Sequence, residues 1–225
     1  MPRGKGKAAT KAKPVPDMQG RRPKISPEFI AQYKRRRIMD ALAELSAERG
    51  YEATKISDIV RRAGVARKTL YDNFEGKEQV FLAAFDAARD EALERVEVSC
   101  AEAGEGWREK VEAGLGAFLG YVAEQPALAR MCMVEALSAT PATIERYEDA
   151  KQQLVEMAGK RMPRGARLPQ TIDETLVGGV TWIVYKKIRQ GEAERAEELL
   201  PELSEFMLAP VIESRPVGAE WGTDK

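Results

Sequence analysis

YEATKISDIVRRAGVARKTLYDNFEGKE, residues 51–78, decides how the rest of the chain is read. Ile56, Ile59, Val60 and Ala63 fall on one face of a short helix, with Asp58 near its first turn and Thr54 placed to cap it. Gly64 ends that helix where a left-handed residue is needed. After Val65 a second short helix begins, with Leu70 and Phe74 as its buried positions. Two short helices joined by a tight glycine-containing turn make a helix-turn-helix, whose second helix fits a major groove. Arg67 and Lys68 stand in the first turn of that helix, where the macrodipole disfavours cations by roughly a few tenths of a kcal/mol each. Duplex DNA facing them offsets that cost, because each phosphate neutralised also releases counterion. Arg67 suits bidentate contact with guanine, Thr69 contact with a thymine methyl, and Tyr71 a phosphate oxygen. The alternative is that the two cations form a solvated face and that Tyr71 is a half-buried core aromatic.

Outward from this window the pattern is helical. Phe29, Ile30, Tyr33, Ile38, Leu42 and Leu45 recur at three- and four-residue steps until Gly50. Further helices are expected at about 77–100, 107–124, 127–138, 141–160, 170–190 and 193–209. Their breaks fall at Gly104 and Gly106, Pro126, Pro141, the Pro163–Pro169 loop and Gly191. No alternating β-branched stretch interrupts them. The expected class is all-α: an N-terminal three-helix helix-turn-helix head at 25–76 and a larger α-helical ligand-binding and dimerisation body at 77–213. A disordered basic arm at 1–24 and a flexible tail at 214–225 flank them. The arm carries eight Lys and Arg, one acid and no aromatic residue. It reads either as a solubilising tail or as an arm that tracks phosphates.

The zero formal net charge hides a split. Residues 1–37 carry 12 bases and 2 acids, whereas 77–225 carry 18 and 27, so a basic end sits on an acidic body. The absence of histidine excludes His-based acid–base catalysis, Ser-His triads and His-ligated zinc. Cys100 and Cys132 match no metal or redox spacing and read as buried thiols, so neither metal nor cofactor is expected. The longest uncharged apolar runs, 113–123 and 175–185, fall short of the roughly 20 residues that span a bilayer. With no secretory signal in view, a soluble cytoplasmic protein without a membrane partner is the expectation. Catalysis would rest on carboxylates alone. Glu145, Glu148, Asp149, Glu194, Glu197 and Glu198 are instead spaced as a salt-paired helix surface beside Arg146, Lys151 and Arg195, so the chain is not read as an enzyme.

Residues 34–82 resemble the DNA-binding head of the tetracycline-repressor (TetR) family of bacterial regulators. The resemblance rests on Gly50-Tyr51, Ala53-Thr54, Ile59, Ala63-Gly64-Val65, Thr69-Leu70-Tyr71, Phe74 and Lys77-Glu78, in order and in register. It implies that Thr54, Ser57, Arg67, Lys68, Thr69, Tyr71 and Lys77 face DNA, with Lys55 and Asn73 completing the candidate set. Lys77 would hold a phosphate together with the N-terminus of its helix. Two departures stand out. Ala66 occupies a position where the family often has a capping Ser or Thr, which costs about 1 kcal/mol. Asn73 stands where many members carry histidine; it still donates a hydrogen bond but does not titrate.

For the body, the resemblance implies a homodimer through residues 170–209 that binds palindromic operator DNA, with heads about 34–36 Å apart. Leu176, Val177, Val180, Ile183, Val184 and Ile188 form one apolar face, and Ala196, Leu199, Leu200, Leu203, Phe206 and Met207 another. They either meet a second copy or complete the monomer's own core. Pro201 kinks the last helix or restarts it. The middle helices contribute Trp107, Phe118, Tyr121, Met131, Cys132, Met133, Met157, Trp182 and Tyr185, which suit an adaptable apolar cavity and equally a plain core. Arg130, Glu135, Tyr147 and Tyr185 are the polar groups able to orient a ligand there, although Arg130 and Glu135 could also pair with each other. The resulting expectation is a ligand-responsive transcriptional regulator, a repressor by family default, released from operator DNA by a small, mainly hydrophobic effector. The helix beginning at Lys77 would carry the effector's push to the head. The alternative is a ligand-independent, sequence-tolerant DNA-binding protein using its basic N-terminal arm.

Overall fold

The computed structural model describes residues 26–163 and 169–213, and every regular element among them is helical. The arm at 1–24 and the tail at 214–225 lie outside the described residues. Helix α1 (Pro27–Arg49) starts on a Ser26 cap whose hydroxyl accepts the Phe29 N–H at 3.1 Å, with proline at the first helical position. Its apolar pattern splits in two. Phe29, Ile30 and Tyr33 stay exposed, and burial begins only at Ile38.

Helix α2 (Ile56–Ala63) ends at Gly64, whose φ of 62° and ψ of 39° are the left-handed values the sequence calls for. A Cβ there would also stand 2.7 Å from the Arg37 guanidinium, which would swing aside, so the left-handed backbone is what requires glycine. The expected Thr54 cap is absent. Lys55 occupies the capping position without a side-chain bond, and Thr54 Oγ1 donates to the Gly50 carbonyl at 2.9 Å instead, stitching the preceding turn. Helix α3 (Arg67–Tyr71) begins at Ala66 with no side-chain cap, as its methyl group dictates. Helices α4 (Lys77–Glu102) and α5 (Trp107–Glu124) follow.

A short α6 (Pro126–Arg130) runs through a π-helical turn (Met131–Glu135) into α7 (Ala136–Ala139). The long α8 (Pro141–Arg161) opens on a reciprocal box: the Thr140 hydroxyl accepts the Thr143 N–H at 3.3 Å, and the Thr143 hydroxyl accepts the Thr140 N–H at 3.1 Å. Helix α9 (Ile172–Arg189), a 3-10 stretch (Ala193–Leu199) and α10 (Leu200–Glu213) complete the chain. Pro201 restarts the last helix, sitting in its first turn where a missing N–H costs nothing.

Two cores organise these helices. The first gathers Ile38, Leu42, Ile59, Leu70, Phe74 and Phe81, and also takes in Tyr121, Leu128, Met131 and Ala136 from the body. Head and body therefore share one apolar interior, with the first half of α4 inside it. The second core lies among α5, α9, the 3-10 stretch and α10, around Leu119, Leu176, Val184, Ile188 and Ala196. No helix among the described residues is long and apolar enough to cross a membrane.

Candidate nucleic-acid interface and effector cavity

Thr54, Lys55, Ser57, Arg67 and Lys77 line one shallow polar groove between the starts of α2, α3 and α4, together with Glu52 and Ile56. Five of the nine candidate DNA contacts are thus brought together from three elements. Lys68, Thr69 and Tyr71 lie on the adjoining surface of α3, with Tyr71 45% exposed. The Arg67 guanidinium reaches along the helix to the Tyr71 hydroxyl at 3.4 Å.

Charge pairing separates this surface from the end of α1 and the outer side of α2. Arg62 is held by Glu44 at 2.8 Å and Glu48 at 2.9 Å, and Asp58 is held by Arg49 at 2.6 Å and Arg61 at 2.8 Å. Burial pushes the Asp58 carboxyl up, but the Arg49 hydrogen bond and charge, with help from Arg61, outweigh it and hold the group below its ordinary value. Lys55, Arg67 and Lys68 make no ion pair with any described residue. Two cations at the start of α3, lacking both an acid and a favourable dipole, leave a site for an external anion.

Three of the candidates are differently placed from a simple DNA-facing role. Thr54 is 1% exposed, with its hydroxyl committed to Gly50. Asn73 Nδ2 donates to the Thr69 carbonyl at 2.7 Å, closing the end of α3, while its own carbonyl accepts Arg35 at 3.0 Å. Lys77 Nζ donates to the Tyr51 carbonyl at 2.9 Å and lies 3.8 Å from the centre of the Tyr51 ring. Partial burial lowers the Lys77 pKa. Small polar side chains beside turns are claimed by the backbone, a competition that residue identity alone does not reveal.

In the body, two adjoining apolar cavities of about 90 and 100 Å³ lie between α4, α5, α8 and α9. Either volume far exceeds the ~10–15 Å³ that one water needs on that measure. They share Phe118, Leu154 and Thr181 and so adjoin one another across these three side chains. Thr181 contributes little polarity, since its hydroxyl donates to the Val177 carbonyl at 2.8 Å. Tyr121 and Tyr147 line the first chamber and Trp107 the second. The Tyr121 hydroxyl and the Trp107 indole nitrogen are enclosed without a hydrogen-bond partner. Burial raises the pKa of Tyr121 and Tyr147, and pushes the Cys132 thiol in the first chamber up to about 12.

Five residues read from the sequence as cavity lining lie elsewhere. Trp182 is 58% exposed and stacks on Tyr185 at 5.3 Å, on the side of α9 turned away from inward Val180 and Val184. Two residues along a helix amount to about 200° of rotation, so Trp182 cannot share the face of Val180 and Val184. Met131 is fully buried in the first core. Arg130 and Glu135 flank the π-helical turn and face each other at 3.8 Å, while Glu135 also accepts the Tyr51 N–H at 3.0 Å. Lining that sequence reading passed over comes from α8, where Ala150, Lys151 and Leu154 join the expected Tyr147 at helical spacing. Their mixed chemistry hides a stripe that periodicity alone could have exposed.

The dimer faces are likewise mostly spent. Leu176, Val180, Val184, Ile188, Ala196, Leu203 and Met207 fill the second core. Trp182, Phe206 and the open flank of Gly178 remain outside. Phe206 approaches so closely that a Cβ on Gly179 would stand 2.8 Å from its ring.

Residues 38–84 match the family model described as bacterial regulatory proteins, tetR family. The fatty acid metabolism regulator protein of Bacillus subtilis (strain 168) is 38% identical over 60 residues, which span 27% of this chain and 31% of that protein. Among solved structures, the fatty acid degradation regulator FadR from Bacillus halodurans superposes with a TM-score of 0.69 at 21% identity, covering 82% of this chain and 96% of its own. The regulator FadR from Bacillus subtilis in complex with stearoyl-CoA gives 0.64 at 20% identity, covering 78% and 98%. These superpositions establish a common fold. Residues 38–84 thus match the DNA-binding head of the tetR family of bacterial regulatory proteins, and the helical body behind them shares the fold of such regulators.

Proposed function

We propose that the chain is an effector-responsive transcriptional regulator that binds palindromic operator DNA as a homodimer and releases it when an elongated, mainly hydrophobic molecule fills the two-chambered cavity. The observation that carries the DNA reading is the unpaired cationic start of α3 beside the polar groove, on a head whose Arg49, Arg61 and Arg62 are all matched by acids. Arg67 and Thr69 are assigned to base edges, Lys55, Lys68 and Tyr71 to phosphates. Lys77 joins them where it lines the groove. Homodimerisation is supported by Trp182 and Phe206, large apolar side chains left exposed on the last two long helices. Pairing two heads is also how such readers span successive major-groove faces.

The almost wholly apolar double chamber supports a chain-like effector over a polar one. The stearoyl-CoA complex of the similar Bacillus subtilis regulator makes a long-chain acyl thioester the first compound to test. Release requires the effector to bind the DNA-incompetent arrangement more tightly, and operator DNA must weaken effector binding by the same factor.

The test is footprinting and fluorescence anisotropy on the DNA immediately upstream of the gene, with and without stearoyl-CoA. Protection of an inverted repeat, lost on adding the thioester, is the expected result. Binding that ignores sequence and effector alike would favour the sequence-tolerant reading, which the 12 bases among residues 1–37 support.

A further inference from the structure

The π-helical turn faces two ways. Cys132 and Met133 line the first chamber of the cavity, while Glu135, at the end of the same turn, reaches away from it to the turn between α1 and α2. There its carboxylate accepts the Tyr51 N–H at 3.0 Å, a contact between residues 84 apart in sequence. Tyr51 is itself a junction. Its carbonyl accepts Lys77 at 2.9 Å, its ring lies under the Lys77 ammonium at 3.8 Å, and the ring edge packs on Phe81 at 5.3 Å. Thr54 and Lys77, two of the residues lining the groove proposed for DNA, lie within this network or one hydrogen bond from it.

The link is incompletely satisfied. The Glu135 side chain is 12% exposed, and a carboxylate so enclosed needs more than one donor. Its second oxygen stands 3.8 Å from Arg130 Nε, too long for a hydrogen bond, and that Nε is enclosed with no partner. Closing the gap by about an ångström would complete the ion pair. One carboxylate is therefore shared between two elements: Oε2 is engaged by Tyr51 on the head, and Oε1 is poised toward Arg130 on the body. Local helix geometry sets how Arg130 and Glu135 are aimed at each other. Residues five apart in an α-helix point about 140° away from each other. The i to i+5 bonding of a π turn brings them to the same side.

We propose that Glu135 is the positioning residue through which the effector cavity acts on the DNA-reading head, and that packing against Cys132 and Met133 resets the π turn and releases Tyr51. This inference rests on the effector-responsive reading above and adds its route. It differs from a push along α4, because the carrier is one side chain on a short turn that contacts the head directly.

Hydrogen exchange of the Tyr51 amide in the full chain tests it without DNA or effector. Glu135→Ala should speed that exchange about tenfold or more, and Glu135→Gln, which keeps an acceptor oxygen, should restore much of the protection. The decisive arm is Met133→Ala, which enlarges the cavity wall without touching Tyr51. Expected is a several-fold change at Tyr51 in the wild-type background and none beyond the Glu135→Ala effect when the two are combined. The amide of Val184, buried in the second core, reports global unfolding. Should Met133→Ala raise Val184 exchange as well, Phe118→Leu on α5 replaces it. An unchanged Tyr51 amide, or the same factor in both backgrounds, overturns the proposal. Such a failure removes the route and leaves the regulator reading standing. A transmitted change in a protein that binds no duplex would instead remove the regulator reading and keep the link.

Discussion

The head and the body of this molecule place their charges and their apolar surface by different rules. In the head, Arg49, Arg61 and Arg62 are matched by acids at the end of α1 and along α2, whereas Arg67 and Lys68 in the first turn of α3 pair with no described acid. In the body, the informative surface is apolar and internal: a double chamber whose enclosed polar atoms, on Tyr121 and Trp107, lack partners. One end leaves charge unmatched at the surface and the other leaves hydrogen-bonding groups unmatched in the interior. Under the proposed function the two ends take different partners: a polyanion meets the unmatched cations, and the apolar lining takes a mainly hydrophobic molecule.

The sharpest way to break this division is to attack the core that spans it. Phe74→Ala empties a fully buried position between α1, α3 and α4, and should cost about 3–5 kcal/mol in a denaturant titration. Because Tyr121 and Met131 share that interior, probes in head and body should report one coincident transition. Two separated transitions would make the head an independent unit. Next in size, Arg67→Ala should cost about 1–3 kcal/mol in operator binding and relax selection at one base pair, with stability changed by less than about 0.5 kcal/mol. Gly64→Ala imposes a left-handed backbone on an L-residue and crowds Arg37, for a loss of roughly 1–2 kcal/mol in melting experiments. Arg62→Ala, on the matched side of the head, should change stability by about 0.2–1 kcal/mol and leave DNA affinity intact.

A separate effect, confined to alkaline solution, concerns pH. Burial holds the Cys132 thiol neutral up to about 12, above its unfolded value near 8.5. A raised acid pKa contributes stability that is complete below the unfolded value and lost as pH climbs toward the folded one. Wild type should therefore weaken between those limits more steeply than Cys132→Ala, as followed by urea midpoints.

The same division governs what the residues disclose before any coordinates. The bounds of α1 and α5 follow from Pro27, Gly50, Gly106 and Pro126, and the left-handed turn follows from Gly64, because these are local choices with strong backbone consequences. Leu70 and Phe74 are legible for the same reason. Thr54 is not, since a hydroxyl two residues before a helix has two backbone partners to choose between, and it chose Gly50. The cavity resists reading further. Its walls come from helices distant in sequence, and a bulky aromatic such as Trp182 says nothing by itself about which side of α9 faces inward. Glu135 could be listed as a polar group of the middle helices, but its partner Tyr51 stands 84 residues away, and the π turn that aims it has no sequence signature.

The most direct measurement is a salt-dependent anisotropy titration of wild type and Arg67→Ala against the upstream inverted repeat and a scrambled duplex of equal length. The account predicts a loss of about 5- to 150-fold on the repeat and a much smaller one on the scrambled duplex, with both proteins weakening as salt rises. Equal losses on both duplexes, or no loss on either, would contradict the assignment of α3 as the element that reads DNA.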